Sequence, residues 1–376
     1  MTDNLSRLSE LDEASLREQG LVYPGSSIGH RRTHKRFPNS SSSEEYSDIP
    51  LNIHANSPEA ESAFETIPTE LISRETLEYL GLSPEKADEI WWEWSNWPEE
   101  GPGREVDPDD GGLRIDFIEF ITAHLETYED AYRDDDDLWR QCLLMCGVNE
   151  TLQNAIMDPT FKDIRLTNSC VFWIKDTFEL RYRGLEDIRK TSHERQIKLI
   201  EAGNRRNQSR SGNGGGNRSG SSSGNGWGAS KRGGDNEKYP IPNQDQENIS
   251  DTTTTSWSSD ISTQLRNQPG IRVLFKGIIK RRITRLFNET GEVGDISNLL
   301  SCVSSDFHEL RKLFYFTPDP QVAEYYAAYV RRRCGGEVVI LALSIRTEAF
   351  DALNELSQTK SPYQKTEWRT QQTNHG

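Results

Sequence analysis

Six aromatic side chains fall within the eighteen residues Leu313 to Val330, LFYFTPDPQVAEYYAAYV, and three arginines, Arg331 to Arg333, follow directly. Electron-rich rings can hold a flat cationic group by stacking and cation–π attraction, so the stretch is either an ordinary strand and helix or half of a nucleotide pocket. A second candidate for chemistry is REVDPDDGGLRIDFIEF, Arg104 to Phe120, where Asp107, Asp109, Asp110 and Glu119 gather the carboxylates that a hard cation such as calcium takes as ligands. A third is a set of softer ligands. Cys142 and Cys146 stand one helical turn apart, and His124 shares an apolar stripe with Phe117, Phe120, Ile121 and Leu125.

Spacing decides against the last two. The acidic loop has the outline of an EF-hand, but Asp107 to Glu119 spans thirteen residues where the standard loop has twelve. Starting at Pro108 instead puts a proline at the first ligand and Leu113 at the glycine position. Calcium binding is the weaker reading. The stronger one is an acidic interhelical loop whose carboxylates before Phe117 cap the next helix. No fourth ligand stands at a useful spacing from His124, Cys142 and Cys146, so these read as a satisfied edge histidine and buried thiols, with no metal site.

The elements around these residues follow from period and caps. Leu313 to Phe316 reads as a short strand, ended by Thr317-Pro318-Asp319-Pro320, where Thr317 or Asp319 caps a helix with proline at its first position. Val322, Tyr325, Tyr326, Tyr329 and Val330 then recur as one helical face, Arg331 to Arg333 suit the negative end of the dipole, and Gly335-Gly336 stop the helix. EVVILALSI, Glu337 to Ile345, reads as a central strand buried on both faces. Further back, Ser83-Pro84-Glu85 starts a helix with Ile90, Trp91, Trp94 and Trp97 on an aromatic face. CVFWIKDTFELRYRGLEDI predicts a long amphipathic helix with Val171, Ile174, Phe178, Tyr182, Leu185 and Ile188 inward.

Composition supplies the boundaries. In 376 residues only 33% are hydrophobic and the mean hydropathy is -0.78, so a large part of the chain lacks the apolar content of a packed core. Residues 1–64 read as a polar disordered tail whose basic cluster HRRTHKR, His30 to Arg36, is solvated. Residues 65–202 form an acidic helical domain, with 32 acidic against 15 basic side chains. Residues 203–268 are a disordered Gly/Ser/Asn-rich linker that leaves the folded parts loosely coupled, and residues 269–376 form a second domain with 12 acidic against 15 basic side chains. The first domain repels nucleic acid and suits a basic protein partner, whereas the second accepts an anionic ligand. Five cysteines without a CxxC pair, and no apolar run of transmembrane or signal-peptide type, predict a soluble intracellular protein, cytoplasmic or nuclear, without membrane contact.

On LFYFTPDPQVAEYYA the second domain resembles the ADP-ribosyltransferase fold, in which a strand tyrosine and a helix tyrosine sandwich the nicotinamide of NAD. The resemblance implies that Tyr315 and Tyr325 are those rings, with Leu313 where the family carries glycine. IRVLFKG looks like the family's first motif and makes Lys276 and Gly277 the anchor for ribose or phosphate. The third motif, a catalytic glutamate, is sought in EWRTQQTNHG, where Thr370 occupies its place and Glu367 is the nearest substitute. The whole order of segments is similar to an uncharacterised fungal family of two-module proteins. The implied fold class is α+β: an acidic all-α N-terminal domain, a long linker, and an ADP-ribosyltransferase-like domain of two small sheets with flanking helices, incomplete at its C-terminal end. The implied function is a degenerate NAD-pocket protein, with no cofactor required and NAD as substrate or ligand; if active, it is an NAD-dependent transferase. The alternatives are a non-enzymatic interaction protein and, more weakly, a calcium-binding loop.

Overall fold

The computed structural model describes residues 9–35, 63–97, 115–211, 269–283, 286–287, 293–301, 303 and 312–352. Its class is α+β, helices with small antiparallel sheets. In chain order the elements are α1 (Glu10–Glu18), β1 (Val22–Pro24), β2 (His30–His34), β3 (Phe64–Pro68), α2 (Arg74–Leu80), α3 (Pro84–Ser95), α4 (Phe117–Leu125), α5 (Asp136–Met145), α6 (Glu150–Ile156), α7 (Lys162–Arg165), α8 (Cys170–Ser211), β4 (Ile271–Ile279), α9 (Pro320–Cys334) and β5 (Val338–Arg346).

The organising element is α8, which at ~1.5 Å per residue is about 63 Å long. Val171, Ile174, Phe178, Tyr182, Leu185 and Ile188 are all buried, as the helical period predicts, and the main core gathers α2 to α6 around them. The caps are local. The Ser83 side chain accepts from the Lys86 N–H at 3.2 Å with Pro84 in the first turn, and the Glu119 carboxylate accepts the Asp116 N–H at 3.3 Å ahead of Phe117. Helix α8 continues to Ser211, past the boundary read at residue 202.

Residues 9–35 are part of the fold, which corrects the reading of the first 64 residues as one tail. The strand order is β1-β2-β3, antiparallel, with Val22 opposite Thr33 and Arg31 opposite Ile67. His30–His34 of the basic cluster form the middle strand: Arg31 pairs with Glu13 at 2.7 Å and the Arg32 guanidinium lies 5.7 Å from the Phe64 ring centroid. The partner that composition could not show is far along the chain. Buried Asp12 accepts the Arg195 fork, Nε and Nη2 both at 2.8 Å, and the Ser192 hydroxyl at 2.6 Å, so α1 is fastened to α8. With this sheet the first domain is not all-α.

At the other end β4 and β5 form a two-stranded antiparallel ribbon with Phe275 opposite Ala342. The expected central strand β5 therefore lies at an edge among the described residues, with alternate side chains exposed over its second half. The expected strand at Leu313 to Phe316 is reduced to bridges, Leu300 to Phe314 and Phe275 to Thr317, the latter closed by N–H···O bonds of 2.7 and 2.9 Å. Asp319 caps α9 by accepting the Gln321 N–H at 2.9 Å, and Gly335 ends it at φ 68°.

Helix α9 has two working faces rather than the single stripe expected. Ala323 and Ala327 pack on β4, while Tyr325, Tyr329 and Arg333 face the helical body; Val322 and Tyr326 are exposed. Tyr329 belongs to the main core. The two folded parts thus share a core, contrary to the expectation of loose coupling.

Candidate functional site

Arg333 is the most engaged side chain where α9 meets the body. It is fully buried, donates to the Trp173 carbonyl at 3.3 Å, to the Thr177 hydroxyl at 2.5 Å and to Asp176 at 2.8 Å, and its Nε has no partner among the described residues. Its guanidinium sits between two rings, 4.7 Å from the Trp173 centroid and 4.6 Å from that of Tyr329. Burial works against its charge, but Asp176 and the surrounding acceptors outweigh this and raise its pKa. Tyr329 donates to the Ile156 carbonyl at 3.2 Å, and burial raises its pKa as well.

Arg181 of α8 completes the joint. One nitrogen donates to the carbonyls of Tyr79 and Leu80, both at 3.0 Å, and the other to the Arg333 carbonyl. A single guanidinium thereby satisfies the C-terminal carbonyls of α2 and α9 together. Beside it, Arg281 approaches α8 at Gly184, where an added Cβ would lie 2.0 Å from its Nη1. Tyr79 donates to Glu65 at 2.8 Å in the same region, and burial is the main cause of its raised pKa.

The residues expected to hold NAD are divided. Lys276 and Tyr315 do come together: the Lys276 ammonium donates to the Tyr315 carbonyl at 3.2 Å and lies 5.7 Å from the Phe316 ring. Gly277 faces α9, and a Cβ there would stand 2.3 Å from the Ala323 carbonyl oxygen and 2.7 Å from the Ala327 Cβ. Its hydrogen atom is what lets helix and ribbon touch. Tyr325 points to the helical body, where its hydroxyl donates to the Thr160 carbonyl and its ring lies 5.5 Å from Phe161. Glu367 lies outside the described residues.

Among the metal candidates, His124 behaves as an edge histidine. Its Nε2 is 3.5 Å from Glu93, its ring meets Phe120 edge-on at 4.7 Å, and burial lowers its pKa. Asp107, Asp109 and Asp110 lie outside the described residues, and Glu119 serves the α4 cap. Among the described residues no group of three His, Cys, Asp or Glu is arranged to hold a metal ion.

The exposed chemistry of the body is carboxylate. Glu126, Glu129, Asp130 and Asp134 to Asp137 are all exposed, with Arg133 the one base between them. Lys175, Lys162 and Arg165 reach Glu126, Asp134 and Asp136, which leaves a net negative strip along the α4–α5 connection. Arg333, Arg181 and Asp176 were not singled out from sequence. The available signal was the spacing Tyr325, Tyr329, Arg333, which puts the last arginine on the aromatic face rather than at the free end of the dipole.

Compared with known proteins, the chain matches no protein-family model, no curated protein and no solved structure. No helix among the described residues is long and apolar enough to cross a membrane.

Proposed function

We propose that this chain is a non-enzymatic interaction protein whose acidic helical body receives a basic protein partner. The observation that carries this reading is the exposed strip from Glu126 to Asp137, seven carboxylates against one arginine, in a stretch, residues 65–202, with 32 acidic against 15 basic side chains. Complementary charge raises the encounter rate and fixes orientation, and its contribution is screened by salt. The test is a titration of the full chain with a lysine-rich peptide. Binding should weaken steeply as salt rises from about 50 to about 300 mM, as the Debye length falls from ~14 to ~6 Å. It should also be lost when Asp134, Asp135 and Asp137 are replaced by asparagine and serine. Binding that ignores both changes would exclude the strip.

A second reading is the degenerate NAD pocket implied by the transferase resemblance. Its support is the Lys276 ammonium on the Tyr315 main-chain carbonyl beside the Phe275–Thr317 bridge, which brings the segments of the first two motifs together. Tyr325 is committed to Thr160 and Phe161, so a pocket there would rely on Tyr315 and Lys276. In this reading NAD raises the melting temperature of the full chain and Tyr315→Ala abolishes the shift. Tyr325→Phe leaves the shift in place. Transfer of labelled ADP-ribose stays at background in either reading, and robust labelling would overturn both.

A further inference from the structure

Helix α5 is apolar on its solvent side as well as on its core side. The inward stripe of Trp139, Cys142 and Leu143 lies in the main core and is enough to anchor a surface helix. On the solvent side Leu138, Leu144 and Met145 are 47%, 68% and 54% exposed, and none of the three joins a core among the described residues. Single exposed apolar residues are ordinary, but three on one ten-residue helix form a patch. Gln141 is their common neighbour, three residues after Leu138 and three and four before Leu144 and Met145. At ~1.5 Å per residue the patch runs about 10 Å along the helix.

Charge lies at one end of it. Asp134 to Asp137 directly precede Leu138, and Asp135 caps the helix by accepting the Asp137 and Leu138 N–H groups, both at 3.1 Å. Asp134 and Asp136 hold Lys162 and Arg165, while exposed Asp137 stands one turn before Gln141 on the face of the patch. Exposed Arg140, one turn before Leu144, repels a base from the far flank. A cationic side chain is thus drawn to the first turn of α5 and an apolar one to the last.

We propose that the face of α5 from Asp137 to Met145 receives an amphipathic helix of the basic partner, with its apolar residues on Leu138, Leu144 and Met145 and its lysines or arginines over Asp134 to Asp137. This rests on the reading of the acidic strip as a partner site and names the form of the partner. Apolar residues at i, i+3 or i+4, and i+7 of an incoming helix repeat the spacing of the patch, so the two can lie side by side, ridges in grooves. The two halves of the contact act differently. The carboxylates speed encounter, set orientation and weaken with salt, whereas the apolar contact holds the complex and is little affected by it. A lysine-rich chain without an apolar face satisfies the first half alone.

The test measures the binding of two labelled peptides to the full chain by fluorescence anisotropy. Both have about twenty residues of leucine, lysine and glutamine, long enough to turn helical on binding. In one the leucines recur at i, i+3, i+4 and i+7; in the other the same residues are shuffled so that no face is apolar. The first should bind at least about tenfold tighter and keep its lead at about 300 mM salt, where the shuffled peptide falls away. The double variant Leu144→Gln, Met145→Gln puts good helix formers on the same exposed face, and an unchanged melting temperature shows that the fold is kept. It should weaken the amphipathic peptide about tenfold and leave the shuffled one as it was.

Replacing Asp134, Asp135 and Asp137 as above should weaken both peptides. Equal affinity of the parent chain for the two, or a double variant that binds the amphipathic peptide as tightly as the parent, overturns the inference and leaves the acidic strip standing, as it would if the chain covered the patch itself. Binding of neither peptide overturns both. A parent chain that sediments as a dimer, with a double variant that sediments as a monomer, gives the face to a second copy and overturns the inference as well.

Discussion

The helical body and the C-terminal strand–helix–strand unit close their interiors in opposite ways. In the body one continuous core runs from Ile67 to Ile188 through Trp139, Phe117 and Phe178. In the C-terminal unit the described apolar side chains fall into separate small groups, Val273 with Phe275 and Ala323, and Ile278 with Leu286 and Leu299. A third group, Ile279 with Cys334, is completed by Leu180 of α8, and Tyr329 is given over to the body altogether. A unit this small buries too little surface to hold itself together, and here the deficit is met by a larger neighbour. The lesson is that a domain boundary drawn from composition can run through a shared core.

The strongest break of this contrast is physical separation. Residues 269–376 expressed alone should show no cooperative unfolding transition, while the full chain cut by protease within 212–268 should elute as one complex of two pieces. Independent elution would restore the loosely coupled picture. Next in size is Arg333→Ala. It removes a fully enclosed guanidinium and leaves half-buried Asp176 without that partner, and should lower stability by about 3–5 kcal/mol in urea unfolding, against less than about 0.5 kcal/mol for exposed Arg331→Ala. Equal effects would mean the buried arginine is no anchor.

Gly277→Ala tests the helix–ribbon contact within the C-terminal unit. The added methyl meets backbone atoms of Ala323 and Ala327 that cannot swing away, and a loss of about 1–3 kcal/mol is expected. A neutral result would show that the ribbon slides freely on α9. The smallest effect belongs to the body. Burial lowers the His124 pKa in the folded state, so the unfolded chain binds the extra proton more readily below the ordinary histidine pKa of ~6.5. Stability contributed by neutral His124 is present above that pH and is lost as pH falls through it. Urea midpoints at pH 7.5 and 5.5 should therefore differ less in His124→Gln than in the parent chain, and an unchanged difference would assign the acid sensitivity elsewhere.

What sequence showed well was local. The period of α8 from Val171 to Ile188, the Ser83-Pro84 start of α3 and the Asp319-Pro320 start of α9 depend on residues within a few positions of each other, and all were read correctly. What it hid was distant. Asp12 meets Arg195 across 183 positions and Arg333 meets Asp176 across 157, and no window of composition contains both partners. The arginine run at the end of α9 reads as charges suited to the negative end of the helix dipole until the ring pair of Trp173 and Tyr329 is placed around its last member. For the same reason the residues of the supposed NAD site were legible as types but not as neighbours. Lys276 and Tyr315 meet, whereas Tyr325 turns to a body whose position no local pattern encodes.

The 157 positions between Asp176 and Arg333 are also a delay. At ~5–20 residues per second, a ribosome takes about 8–30 s to travel from one to the other. During that interval Trp173, Asp176 and Thr177 have been synthesised and the guanidinium that contacts all three has not. The lock is made before its key. A chain that stalls between the two leaves the socket open, and the newborn protein is then most exposed to capture by chaperones or by a second unfinished copy of itself.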